Sequence, residues 1–246
     1  MNILTIDTST DIELIALSAH GKILGYCDYA NMSHGITMFG NLSQLLAQAS
    51  IKINEINLIG TGIGPGSFTG IRIAVSTARM FAQILKIPLV GIKSQEIYAA
   101  SVQGTDNKTV LTAFDAKKSR VFAGVYTLQG SDPYKGQQIA ATALHEIIEP
   151  GDYYMDELLE SIKQRDIQEL ICVGDGCEKY IEVIDKFSKK NPFSYTVIDK
   201  FRPDGKSAIE LTLKKYNESR EKYMNFENTV PFYARRSDAE VSKSGS

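Results

Sequence analysis

Four stretches of this 246-residue chain carry side chains and backbone that could meet a phosphate or a cation. Asp7 closes the apolar run Asn2 to Asp7, and hydroxyls follow at once at Thr8, Ser9 and Thr10. A carboxylate at a strand end beside a hydroxyl-bearing turn can hold a metal-bound phosphate; the same pattern also makes a plain hairpin turn with an Asx bond. Asp115 repeats this placement at the end of a second apolar run, with Ala116, Lys117, Lys118 and Ser119 behind it. Gly174-Asp175-Gly176 forms a further strand-to-helix junction. Between them lies Gly64, Pro65, Gly66, Ser67, Phe68, Thr69 and Gly70, where the glycines allow close backbone approach and Ser67 or Thr69 can cap a following helix.

A glycine turn entering a helix N-terminus is a ready anion cradle, yet the phosphate-binding templates do not fit it. A P-loop needs Lys then Ser or Thr after its second Gly, and no Lys lies between Glu55 and Lys86. The dinucleotide fingerprint needs a third Gly where Thr69 stands. A nucleophile elbow needs Gly two residues before its Ser, and Pro65 occupies that place before Ser67. His34 is followed at i+4 by Met38 rather than by a second His, and the other histidines, His20 and His145, are far away, so no metal site is expected. Cys27, Cys172 and Cys177 have no paired zinc spacing and read as free thiols of a reducing compartment.

Alternating and continuous apolar runs supply the elements that must hold these residues. Strands are expected at Asn2 to Asp7, Glu13 to Ala19 and Lys22 to Tyr29, a helix at Ser33 to Ser50, a strand at Ile56 to Ile63 and a helix at Thr69 to Lys86. A strand at Pro88 to Ile92 and a helix at Ser94 to Val102 precede the polar stretch Gly104 to Lys108, which divides the chain into lobes 1–104 and 105–246. The second half repeats the style of the first. It has strands at Thr109 to Phe114 and Arg120 to Leu128, a variable loop at Gln129 to Gly136 and a strand at Gln137 to Leu144. A helix at Asp152 to Gln164, a strand at Glu169 to Val173, a helix at Cys177 to Lys190, a strand at Ser194 to Ile198 and a helix around Ser207 to Tyr216 complete it.

Two helices are apolar over more surface than one sheet can cover. Ile71, Ala74, Val75, Ala78, Phe81, Ala82 and Leu85 share one face, while Ile73, Met80 and Ile84 form a second flank beside a polar strip that includes Arg72, Arg79 and Gln83. On the earlier helix Met38, Phe39, Leu42, Leu45, Leu46 and Ala49 make the core face, and Ile36, Gly40, Ser43 and Ala47 an adjacent stripe of mostly small residues that permits close helix approach. Either a second helix of the same chain or a partner subunit covers the excess. A hydrophobic fraction of 43%, a charged fraction of 23% and a net charge of -2 describe a soluble globular protein without an electrostatic footprint for nucleic acid. No signal-peptide pattern and no apolar run of roughly 20 residues occurs, so a cytoplasmic location away from membranes is expected.

The α/β succession of two related lobes, each opening on a hairpin sheet whose first strand ends in Asp, matches the actin-like ATPase (ASKHA) architecture of mixed sheets flanked by helices. Within it the chain resembles the TsaB (YeaZ) family. The matching residues are Ile6-Asp7-Thr8-Ser9, the decapeptide Gly64 to Ile73, Asp115-Ala116-Lys117 with Val121-Phe122, Gly174-Asp175-Gly176, and Pro231 to Arg236 with Ala239-Glu240; Ala234 stands where the family often has Leu.

The resemblance implies a non-catalytic partner of TsaD, joined by the ATPase TsaE, in moving threonylcarbamoyl from threonylcarbamoyl-AMP to N6 of the adenosine beside the anticodon of tRNAs reading ANN codons. It implies docking through the first-lobe helices at Ile36, Gly40, Ser43, Ala47, Ile73, Met80 and Ile84, a homodimer when alone, and tRNA contact only through the complex. It also implies a degenerate nucleotide cleft at Asp7, Thr8, Ser9, Asp115, Gly174 and Gly176, with no tight cofactor and at most weak ATP or ADP binding. A stand-alone kinase-like enzyme and a peptidase acting on TsaD are the competing expectations. Arg235 and Arg236 read as a solvated tail rather than a phosphate site.

Overall fold

The computed structural model describes residues 1–30, 34–102, 107–129 and 143–235, arranged about two five-stranded mixed sheets. Strands β1 (Ile3–Asp7) and β2 (Ile12–Ala19) are buried at every position, as expected of central strands covered on both faces. β1 pairs antiparallel with β2, bringing Ile6 opposite Ile15, and β2 pairs antiparallel with the half-exposed edge strand β3 (Lys22–Tyr29). On its other side β1 pairs parallel with β4 (Leu58–Gly62), and β4 with β5 (Leu89–Ile92).

The second sheet repeats this plan. β6 (Thr109–Asp115) is central, β7 (Val121–Gln129) and β8 (Ala143–Tyr153) follow as antiparallel neighbours, and β9 (Glu169–Val173) and β10 (Ser194–Val197) add in parallel on the other side. β1 and β6 therefore hold equivalent places, and each ends in the Asp singled out from the sequence.

Helices α1 (His34–Gln48) and α2 (Phe68–Leu85) cover one face of the first sheet, packing Met38, Leu42, Leu45, Ala74, Ala78 and Ala82 on Leu4, Ile6, Ile15 and Leu17. Ser67 caps α2 by accepting the Gly70 N–H, and Lys86 ends it in the left-handed region before Pro88. α4 (Met155–Lys163), α5 (Asp175–Lys179) and α6 (Ile181–Ser188) cover the outer face of the second sheet. The short helix α3 (Ser94–Ala100) is wedged between the sheets, with Ile97 and Ala100 toward the first and Tyr98 and Ala99 toward the second.

Several expectations are corrected. β8 extends to Tyr153, so Asp152 belongs to a strand and α4 starts later; Pro150 is tolerated because β8 is an edge strand with shifted register opposite Ala123 to Tyr126. The single helix expected from Cys177 to Lys190 breaks at Tyr180 into α5 and α6. The short helix α8 (Arg220–Tyr223) has no counterpart in the sequence reading. Helix α7 (Gly205–Glu218), capped by Asp204, packs Ala208, Ile209 and Leu211 on Ile3, Leu14, Leu58 and Val90 of the first sheet. A division at 104/105 therefore assigns α7 to a sheet it does not cover. The expected cap Ser33, most of the polar boundary, the loop after Gln129, most of the strand from Gln137 and the tail from Arg236 lie outside the described residues.

A buried hydroxyl pair locks α7 to the sheet. Thr212 Oγ1 donates to the Ala208 carbonyl at 2.8 Å, so the 2.7 Å contact with Thr5 has Thr5 as its donor. Gly60 lies beneath this pair, and a Cβ there would overlap Thr212 Oγ1. Gly60→Ala is expected to destabilise the protein by about 1–3 kcal/mol, with part of the loss restored when Thr212→Ala is added; urea unfolding of the two single variants and the double variant checks both.

Candidate functional site

The first candidate is the cleft between the lobes, built from the turns that follow β1 and β6. After β1 the Asp7 carboxylate accepts the Ser9 N–H at 2.7 Å, the local bond expected of an Asx turn. The backbone of this turn is pressed against the glycine motif: Ser67 N–H donates to the Ser9 carbonyl at 2.6 Å, and Thr8 Oγ1 donates to the Gly70 carbonyl at 2.7 Å. A Cβ at residue 66 would collide with the Ser9 carbonyl oxygen, and one at residue 70 with the Thr8 carbonyl oxygen. The glycines thus serve chain-to-chain approach, and the motif closes on Thr8 and Ser9 instead of standing open as a cradle. Pro65 is anchored from α3, because Gln95 Nε2 donates to the Pro65 carbonyl at 3.1 Å and to the Phe122 carbonyl of β7 at 3.3 Å.

On the opposite wall, Asp115 Oδ2 accepts Lys117 Nζ at 2.8 Å and Lys179 Nζ at 2.7 Å, while Oδ1 accepts the Lys117 N–H at 3.0 Å. Burial pushes this carboxyl up, but the hydrogen bonds from Lys117 and Lys179 outweigh burial and hold it below the usual Asp range. Asp175 accepts the Asp115 N–H, and its carboxyl is held above the usual range, first by burial and then by the neighbouring Asp115 charge. Gly174, at φ 99°, and Gly176 pass against the Ala113 carbonyl, so these two glycines seat α5 on β6.

The cleft has a volume of about 410 Å³. Ser9, Asp11, Asp115 and Lys117 supply polar lining, and Phe114 and Phe122 apolar lining. The C-terminal segment forms its remaining wall. Phe232 N–H donates to the Ile63 carbonyl at 2.7 Å, the Tyr233 ring stacks on Phe68 at 4.7 Å, and Arg72 Nε donates to Tyr233 Oη at 2.9 Å. Arg235 crosses to the second lobe, donating to the Ala116 carbonyl at 2.7 Å beside Asp152. The expectation that Arg235 is a solvated tail residue is therefore wrong; Arg236 is outside the described residues. The aromatic pair Phe232-Tyr233 between Pro231 and two arginines was the available signal. Among the described residues no histidine lines this cleft, and no set of three or more His, Cys, Asp or Glu is grouped to hold a metal ion.

The second candidate is the outer side of α1 and α2. Ile36 is 63% exposed, Met80 40% and Ile84 68%. Gly40, Ser43 and Ala47 are exposed and Ile73 is half-buried. Phe39, expected in the core face, is also 47% exposed, meeting Phe81 edge-on at 6.4 Å. The two helices touch each other, yet the stripe beside their contact is left open to solvent. α1 is fixed from below by the buried Glu13 carboxylate, which accepts Thr37 Oγ1 and Asn41 Nδ2, each at 2.7 Å.

Comparison with known proteins gives a consistent family. Residues 28–243 match the family described as TsaD, tRNA N6-adenosine threonylcarbamoyltransferase. The tRNA threonylcarbamoyladenosine biosynthesis protein TsaB of Buchnera aphidicola subsp. Acyrthosiphon pisum is 26% identical over 231 residues, 94% of this chain and 96% of the relative. TsaB of Bacillus subtilis is 28% identical over 167 residues, 68% of each chain. The solved structure of YeaZ from Pseudomonas aeruginosa superposes with a TM-score of 0.68 at 24% identity, covering 94% of this chain and 99% of that one; this likeness shows the fold.

Because Asp115 is held below its ordinary pKa, its charge stabilises the native state above about pH 4, and that contribution fades as pH falls through the depressed native value. Asp115→Asn is expected to lower the unfolding midpoint at pH 7, with the deficit shrinking toward pH 3; thermal unfolding across that range measures it.

Proposed function

The chain belongs to the family described as TsaD, tRNA N6-adenosine threonylcarbamoyltransferase, and to its TsaB (YeaZ) branch, and we propose that it is an accessory, non-catalytic subunit in the biosynthesis of threonylcarbamoyladenosine in tRNA. In this reading it pairs with TsaD, with TsaE joining the pair, and TsaD transfers threonylcarbamoyl from threonylcarbamoyl-AMP to N6 of the adenosine beside the anticodon. The protein acts in the cytoplasm, forms a homodimer when alone and meets tRNA only through the complex. Among the described residues no helix is long and apolar enough to cross a membrane.

The observation that carries the reading is the open apolar stripe of α1 and α2, where Ile36, Met80 and Ile84 stand exposed beside the small residues Gly40, Ser43 and Ala47. Apolar surface on two adjacent, rigidly seated helices suits a protein partner, and small side chains let a facing helix approach closely. The cleft supports the non-catalytic half of the reading. Backbone contacts to the glycine motif occupy the first turn, and two ammonium groups already engage the Asp115 carboxylate. Any ATP or ADP that enters meets these internal partners first, which favours weak binding over phosphoryl transfer. A peptidase reading lacks a base, since among the described residues no histidine lines the cleft beside Ser67.

Met80→Glu and Ala47→Arg are expected to abolish copurification with TsaD while leaving circular dichroism and the unfolding midpoint close to the parent, because both positions are exposed. Retention of TsaD by both variants would remove the docking assignment. Rapid ATP hydrolysis by the chain alone, measured with magnesium, would favour the kinase-like reading instead.

A further inference from the structure

Helices α1 and α2, of 15 and 18 residues, contain no Asp or Glu, and Arg72 and Arg79 are their only Lys or Arg residues. These two are seven positions apart, nearly two helical turns, so they lie close to one line along α2, about 10 Å apart in rise. Both line a groove of about 560 Å³ between α2 and the C-terminal segment, with Met80 and Gln83 on one wall and Phe226 and Tyr233 on the other. Among the described residues no carboxylate lines this groove and neither guanidinium makes an ion pair.

Arg72 is nevertheless held in place. Its guanidinium carbon stands 3.8 Å from the Phe68 ring centroid, and Nε donates to Tyr233 Oη. A guanidinium fixed by stacking presents its donors to an incoming carboxylate with little ordering cost. Met80 belongs both to this groove and to the exposed apolar stripe, so the two surfaces are continuous.

We infer that the Arg72–Arg79 groove receives a carboxylate-bearing segment of the partner subunit, an aliphatic side chain entering against Met80 and Phe226 with Asp or Glu beside it. This deepens the docking assignment proposed above and rests on it. The same groove discriminates between partners. Pairing this face with the same face of a second copy would bring arginines together with no acid from α1 or α2 to offset them, whereas an acidic partner satisfies both.

The test uses the full chain and TsaD, with affinities measured by calorimetry at 50 and 500 mM NaCl and self-association by light scattering. Arg79→Glu is expected to weaken binding to TsaD by about tenfold or more at low salt, with Arg79→Gln between it and the parent and the differences shrinking at high salt. An equimolar mixture of Arg79→Glu and parent chains is expected to associate more strongly than either alone. Unchanged TsaD affinity in Arg79→Glu, or a salt-independent parent affinity, overturns the inference. If Met80→Glu still breaks the complex in that case, the apolar docking assignment stands without the groove; if neither substitution matters, both fall.

Discussion

The arrangement depends on one backbone contact, the 2.6 Å hydrogen bond from Ser67 N–H to the Ser9 carbonyl. It joins the turn after β1 to the entry of α2, and it forms because residues 66 and 70 have no Cβ to hold the two chains apart. With its N-terminus pinned there, α2 can settle on the sheet only by seating Ile71, Ala74, Ala78 and Ala82, which leaves Met80 and Ile84 outward. The glycine motif therefore determines which flank of the helix the solvent sees. It also engages the Thr8 hydroxyl and the Ser9 carbonyl, groups that an open phosphate turn would present.

The two lobes share a topology and differ in what became of their strand-end carboxylates. Asp7 is drawn into its own turn and lies under Gly62, where even a methyl group would overlap it. Asp115 is instead clasped by Lys117 and Lys179, one ammonium from its own turn and one from α5. The two devices differ in kind: Asp7 accepts a backbone N–H of its own turn, whereas the Asp115 charge is matched by two ammonium groups. The C-terminal segment then completes the cleft by spanning it, tied to Phe68 and Arg72 on one side and to Ala116 on the other.

Much of this could be read from the amino-acid order, because the relevant signals are local. Continuous apolar runs locate β1, β2, β4 and β6, and the spacing of Gly64, Gly66 and Gly70 marks a close approach. The exposed flank of α2 follows from 3.6-residue periodicity, which places Met80 and Ile84 away from the core face. The misses are non-local or masked by special residues. Pro150 and Gly151 hide the second half of β8, which their edge position permits. Phe39 lies on the boundary of its helix's apolar arc, where periodicity alone does not decide its exposure, and it meets the edge of Phe81. Nothing local in residues 205–218 reports which of two sheets they cover, and nothing local in Arg235 reports a carbonyl waiting across the cleft.

That crossing of α7 has a consequence for how the molecule comes into being. During synthesis the first sheet emerges with Ile3, Leu14, Leu58 and Val90 uncovered on one side, and their cover is encoded more than a hundred residues later. An amino-terminal fragment cut at the polar boundary would carry a greasy, unfinished face, and the carboxy-terminal fragment a helix with no sheet to lie on. The halves are two lobes in shape but one unit in assembly, able to regain their form as separate pieces only by finding each other.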